Sequence, residues 1–177
     1  MRLFASLFAA AMLFAASAWA ADPLPKSFYG DFAGTGLSET RPDGKPTKVQ
    51  PRDFDVKITE KGDGFTLGWK TTEYTIKPGN SKIEKEKASI NFLPASRPGF
   101  YKTDLAPDVL NGEPLYWALV QGDTLLVYRM VVYGDAKFEI AAWTRTMMKD
   151  GKMKLEFNRY GNGTTPRTVK GVLSRKP

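Results

Sequence analysis

The stretch AAWTRTMMKDGKMKLEFNRY, Ala141–Tyr160, reads as two β-strands around a tight turn. Its second half alternates strictly: Met153, Leu155 and Phe157 share one face, and Lys154 and Glu156 take the other. With Asp150-Gly151 as a two-residue hairpin turn, Met148 faces Met153, Thr146 faces Leu155, Thr144 faces Phe157 and Ala142 faces Arg159. Opposed side chains share a sheet face. The face with Phe138, Ile140, Ala142, Met153, Leu155 and Phe157 is apolar, and the face with Lys137, Glu139, Arg145, Lys154 and Glu156 is charged. A charged row costs far more to bury, so the apolar face is expected inside. Arg145 is then expected to point outward beside Glu156, and Arg159 to point inward.

The count extends to the neighbouring strands. With turns at Asp135-Ala136 and Gly122-Asp123, Arg129 faces Ala142 and Tyr116 faces Arg129. One interior row then reads Tyr116, Arg129, Ala142, Arg159, and the outward row beside it reads Trp117, Tyr128, Trp143, Asn158. Three adjacent aromatics on an outer face suggest a covered or partnered surface. The segment Pro94–Pro114 is the expected cover, with Phe100, Tyr101, Leu105 and Val109. A single bulge would exchange the two faces. The strand TLLVYRMVV, residues 124–132, is apolar on both sides and leaves its interior face open.

The rest of the chain has the same period. FYGDFAGTG, DFDVKIT, FTLGWKT, EYTIK and KASINFL read as strands, and LYWALV, TLLVYRMVV, KFEIAAWTRTMM, KMKLEFNRY and RTVKGVLSRK follow with short connections. SKIEKEKAS is read as a solvated edge or loop. Pro94–Pro114 has no steady period and is read as a long loop with one helical turn near Pro107–Leu110. The fold expected is all-β: an antiparallel up-and-down meander closing into an eight- to nine-stranded barrel, with a β-sandwich as the alternative.

MRLFASLFAAAMLFAASAWA has one positive charge, an apolar run and an Ala18-Trp19-Ala20 cleavage pattern. It reads as a signal peptide, residues 1–20, ahead of a single barrel domain, residues 21–177. The expected location is the periplasm or the medium, with no stable membrane anchor after cleavage. The 177 residues include no cysteine and no histidine. That composition removes Ser-His and Cys-His nucleophiles and the usual zinc and copper sites. No metal, no cofactor and no catalytic residue is assigned, and a non-enzymatic role is expected. The formal net charge of +7 favours anionic partners only weakly, and no basic stripe interleaved with aromatics points to nucleic acid.

FYGDFAGTG, the run of strands after it, and Arg175 in the last strand together resemble the calycin barrels: lipocalins, avidins and fatty-acid-binding proteins. The resemblance is architectural and spans nearly all of residues 21–177. Gly30-Asp31-Phe32 stands where lipocalins carry G-x-W, and Thr103-Asp104-Leu105 echoes their T-D-Y. Arg159-Tyr160 lacks the spacer of the R-x-Y carboxylate motif, and the histidine of the haem-binding barrels has no counterpart. The tail from Arg145 to Lys176 also resembles the ends of small exported bacterial proteins.

Three classes of function remain open on the sequence. One is a binder of a small amphipathic anionic ligand in the barrel cavity, with Arg129, Arg159 and Tyr116 at its head group and Trp69, Phe157, Val56 and Val127 as apolar wall. Another is a protein-interaction module or inhibitor in the cell envelope, docking through Trp117, Tyr128 and Trp143. An enzyme using carboxylates or tyrosine is the third. For Arg129 and Arg159 a structural polar network stands beside the ligand clamp.

Overall fold

The structure, a computed structural model, describes residues 23–75 and 81–177, so the segment read as a signal peptide, Met1–Ala20, lies outside the described residues. Ten strands follow in order: β1 (Gly30–Thr40), β2 (Lys48–Lys61), β3 (Gly64–Thr75), β4 (Ser81–Pro94), β5 (Phe100–Thr103), β6 (Leu115–Gln121), β7 (Thr124–Val132), β8 (Phe138–Met147), β9 (Met153–Tyr160) and β10 (Arg167–Arg175). Each pairs antiparallel with the next, and β1 also pairs with β10, which closes the sheet. Closure excludes the sandwich, because a sandwich leaves two sheets with free edges.

Ten strands replace the expected eight or nine. The segment read as one long loop contributes the short β5, and Val109–Asn111 forms a 3₁₀ turn near the expected place. SKIEKEKAS lies within β4 rather than in an edge or loop.

The barrel interior is graded along its axis. At one end, Phe32, Ile58, Phe65, Leu67, Phe92, Leu125, Met153 and Leu173 are fully buried. The 3₁₀ turn Lys26–Phe28 lies at this end, with Phe28 buried. Strand β1 approaches β10 closely: a Cβ on Gly34 would lie 2.0 Å from the Val172 carbonyl oxygen. Toward the other end the inward positions become polar, with Arg52 and Glu139 buried there, while Arg145 is buried between the two, opposite Leu125.

The β8–β9 hairpin corrects the expected register. Met148 N–H donates to the Lys152 carbonyl and Gly151 N–H donates to the Met148 carbonyl, so the loop has three residues, Lys149–Gly151. Gly151 takes φ 78°, the left-handed residue that follows a type I turn in such loops. Met147, not Met148, therefore faces Met153. This one-residue shift exchanges the faces of β8. Glu139, Ala141, Trp143, Arg145 and Met147 turn inward and are buried. Phe138, Ile140 and Ala142 do not. Trp143 therefore leaves the expected outer row and belongs to the core.

Arg145 is likewise inside, opposite Leu155, and is only 1% exposed. Glu156 instead forms an ion pair with Lys154. The expectation for β9 itself holds: Met153, Leu155 and Phe157 are buried, while Lys154 and Glu156 face outward.

The β7–β8 turn contains a second shift of the same kind. Tyr133 N–H donates to the Lys137 carbonyl across Gly134–Ala136. Arg129 therefore faces Ala141 rather than Ala142. The two shifts cancel across β8, and Ala141 faces Arg159. Arg129 and Arg159 thus flank an inward alanine as expected, although the alanine is the neighbouring one. Tyr116 faces Arg129 as expected. On β7 the interior face is the one with Leu125, Val127 and Val131.

The outer aromatic row shortens to Trp117 and Tyr128, which stack with centroids 5.1 Å apart. Both are half-buried. Tyr101 of the expected cover turns into the core, while Leu105 is 75% exposed.

Candidate functional site

Four strand ends build the polar mouth of the barrel. Arg129 comes from β7, Glu139 and Trp143 from β8, Phe157 and Arg159 from β9, and Arg167 from β10. With Ala141 they line one open pocket of about 290 Å³. The inward row reads Tyr116, Arg129, Ala141, Arg159, Arg167 across five adjacent strands. Adjacent strands lie about 4.8 Å apart, so Arg159 and Arg167 are neighbours and Arg129 stands one strand further off.

Arg129 is held by its surroundings. It forms an ion pair with Glu139, whose side chain is nearly buried, and a hydrogen bond with Tyr116. Burial acts to lower its pKa, but the Glu139 carboxylate and the Tyr116 oxygen outweigh it and hold the guanidinium above its ordinary value. This is the polar network, and it accounts for Arg129 and Tyr116 of the expected site.

Arg159 is held differently. Its Nε and Nη2 both donate to the Thr165 carbonyl, at 3.3 and 3.1 Å, in the β9–β10 connection. Among the described residues it meets no carboxylate. Arg167, directly opposite, lies with its guanidinium carbon 4.9 Å from the centre of the Phe157 ring. The connection itself is tied down by Asn162, which accepts from Phe138 N–H and donates to the Ala136 carbonyl.

Trp143 and Phe157 form the floor, with ring centroids 5.1 Å apart, and Trp69 packs behind Trp143 at 5.5 Å. Trp69 therefore lies below the mouth pocket, against an inner cavity shared with Arg52, Arg145 and Arg167. That inner cavity encloses about 20 Å³, roughly the room of one water molecule. Arg52 is paired there with Glu73 at 3.5 Å. The indole Nε1 of Trp69 is buried without a hydrogen-bond partner among the described residues.

Of the five residues expected at the site, the mouth brings together Arg129, Arg159 and Phe157. Tyr116 reaches it through Arg129, and Trp69 does not reach it. Two further residues belong to it. Glu139 was assigned to the outer face by the two-residue turn. Arg167 follows a connection too long for the turn rules, although its position as first residue of a strand after an inward Arg159 is the available signal. No group of three metal-ligating acidic side chains occurs among the described residues.

No family model matches the chain, and no curated protein matches it. Among solved structures, the chain is similar to Rv2717c from M. tuberculosis, with a TM-score of 0.49 at 13% identity over 88% of this chain and 100% of the other. It is also similar to the S-type phycobiliprotein lyase CPES from Guillardia theta, with a TM-score of 0.49 at 10% identity over 86% and 90%. Likeness at this level carries neither ligand nor activity to this chain.

Proposed function

We propose that the protein is an exported, non-enzymatic binding protein that receives a small anionic ligand at the polar mouth of its barrel. The observation that carries this reading is the inward row of guanidiniums at Arg129, Arg159 and Arg167 around one open pocket. Guanidinium groups suit carboxylate and phosphate oxygens. The opposite end of the barrel is filled by Phe28 and the apolar residues around it.

The space below the mouth narrows the ligand. An inner cavity of about 20 Å³ has no room for a hydrocarbon chain, so the ligand lies across the mouth instead of running down the barrel axis. Docking of a protein on the outer face is the weaker reading, since Trp143 is withdrawn from the row and Trp117 and Tyr128 cover each other.

Calorimetric titration of the purified protein with a panel of small anions and their uncharged analogues tests the binding reading. Anions are expected to bind with heat that falls as salt rises, and analogues to give none. Export is tested separately by the mass of the secreted protein, which should begin at Ala21. Retention of Met1–Ala20 would rule out cleavage.

A further inference from the structure

We infer that the mouth end of the barrel docks on a bilayer that contains anionic phospholipid, with a lipid head group received at the mouth. This rests on the binding reading above and names the source of the anion.

Three connections at the mouth end form one platform. Arg41 N–H, in the β1–β2 connection, donates to the Pro166 carbonyl in the β9–β10 connection. Asn162 of that connection accepts from Phe138 N–H and donates to the Ala136 carbonyl of the β7–β8 connection. A Cβ on Gly163 would lie 3.1 Å from the Tyr133 ring, so glycine lets these two connections pack closely.

The platform presents large apolar side chains to solvent. Tyr133, Phe138 and Tyr160 are 40%, 38% and 49% exposed. Ile140 faces Tyr160, and Phe138 lies two residues along β8, so Phe138 and Tyr160 are diagonal neighbours on the outer face at the rim. Exposed aromatics gathered at one end of a domain mark an interaction surface. Tyrosine suits the membrane–water interface, where its ring enters the apolar side and its hydroxyl stays wet.

The charge around these rings selects the partner. Lys45, Lys48 and Lys137 are exposed and form no ion pair among the described residues. Arg41 is engaged by Glu39, and Asp43 and Asp135 are the neighbouring acids. The balance is positive, three lysines against two aspartates, and Arg159 adds to it from within the mouth. Lysines beside exposed aromatics complement an anionic lipid surface, whereas a second copy of the same positive platform would repel. The β5–β6 connection, beyond β7, carries Asp104, Asp108 and Glu113, which keeps that side of the rim turned to water.

The interior decides how the lipid is held. The inner cavity of about 20 Å³ has no room for an acyl chain. The chains therefore stay in the bilayer, and only the head group enters the mouth pocket of about 290 Å³. Arg159, which meets no carboxylate among the described residues, receives its phosphate.

The test is sedimentation with vesicles, using the chain from Ala21, which contains the whole closed barrel and leaves out the apolar segment Met1–Ala20. Vesicles of phosphatidylglycerol with phosphatidylcholine should bind, with an affinity that falls as salt rises, and vesicles of phosphatidylcholine alone should not. Lys45→Gln and Lys137→Gln should each weaken binding by about fivefold. Lys26→Gln and Lys149→Gln, at the closed end, should leave it unchanged. Phe138→Ser with Tyr160→Ser, and separately Arg159→Met, should each weaken it by about tenfold, with urea midpoints confirming that the variants fold. Equal losses from lysines at the two ends would reduce vesicle binding to net charge and overturn the docking surface. Undiminished binding in a folded Arg159→Met would overturn the head-group contact. Glycerol 3-phosphate binding in a parallel titration without any vesicle binding would overturn docking and leave the anion-binding reading standing. Silence from vesicles and from every small anion would overturn both. A dimer in solution that the Phe138→Ser, Tyr160→Ser variant splits, with no vesicle binding, would assign the rim to a second copy instead.

Discussion

Arg175, the last residue of β10, lies over the ring of Phe32 in β1, with its guanidinium carbon 4.6 Å from the ring centre. The same guanidinium donates to the carbonyls of Ser27 and Tyr29. One side chain thus links the final strand, the first strand and the 3₁₀ turn that closes the apolar end. Phe32, which stands where lipocalins carry tryptophan, and Arg175 of the last strand are thus in contact.

Arg175→Met should therefore loosen the closed end without touching the mouth. The substitution retains the apolar stem but removes a surface cation–π contact and two charged hydrogen bonds. Because the site is exposed, the expected loss is about 1–2 kcal/mol, read as a lower urea midpoint with unchanged slope. Anion binding should be unchanged. A loss of binding equal to the loss of stability would show that the two ends are coupled.

Gly34 permits the close approach of β1 and β10 that brings Phe32 to Arg175. A methyl group there would fall 2.0 Å from backbone, at the Val172 carbonyl, which cannot swing aside like a side chain. Gly34→Ala should cost about 1–3 kcal/mol or more, as overpacking does. Thermal unfolding gives the comparison. Wild-type stability in this variant would mean that the two strands lie further apart.

The strands were legible in the sequence because alternation repeats on nearly every one, and the apolar face of β9 could be read directly. The faces of β8 were not legible. Choosing between a two-residue and a three-residue loop at Lys149–Gly151 moves Glu139 and Arg145 from outside to inside, and both loops suit an Asp-Gly pair. The rule that a charged row stays outside also misled, because Glu139 turns into the polar mouth, where it finds Arg129, and Arg145 turns into the inner cavity beneath it. The arginine row was recovered only because the β7–β8 loop contains the compensating shift. Closure was suggested by the number of strands, whereas the fill of the interior depends on Trp69, Trp143 and Phe157 packing together, which no single-strand pattern reveals.

The compensating β7–β8 loop has a local cost that can be relieved. Asp135 and Ala136 both adopt positive φ, at 60° and 55°. Aspartate tolerates this region, but alanine places its Cβ against the following carbonyl. Ala136 is exposed, so no packing is lost on substitution. Ala136→Gly should stabilise the protein by about 0.5–1 kcal/mol, less than the full strain because glycine gains freedom in the unfolded chain. A lower melting temperature in this variant would contradict the left-handed conformation.

Arg129 and Glu139 should behave as a structural pair in which each residue depends on the other. The Glu139 side chain is 5% exposed and that of Arg129 28%. Removing one partner leaves the other charged and poorly hydrated. For a fully buried pair that costs about 3–5 kcal/mol. Arg129 reaches water, so Arg129→Met should cost less, about 1–3 kcal/mol, and Glu139→Gln a similar amount. Replacing both, Arg129→Met with Glu139→Leu, removes the charge imbalance and should recover much of the loss. Urea unfolding of the two single variants, Glu139→Leu alone and the double variant gives the coupling. Additive losses would show that the contact contributes nothing of its own.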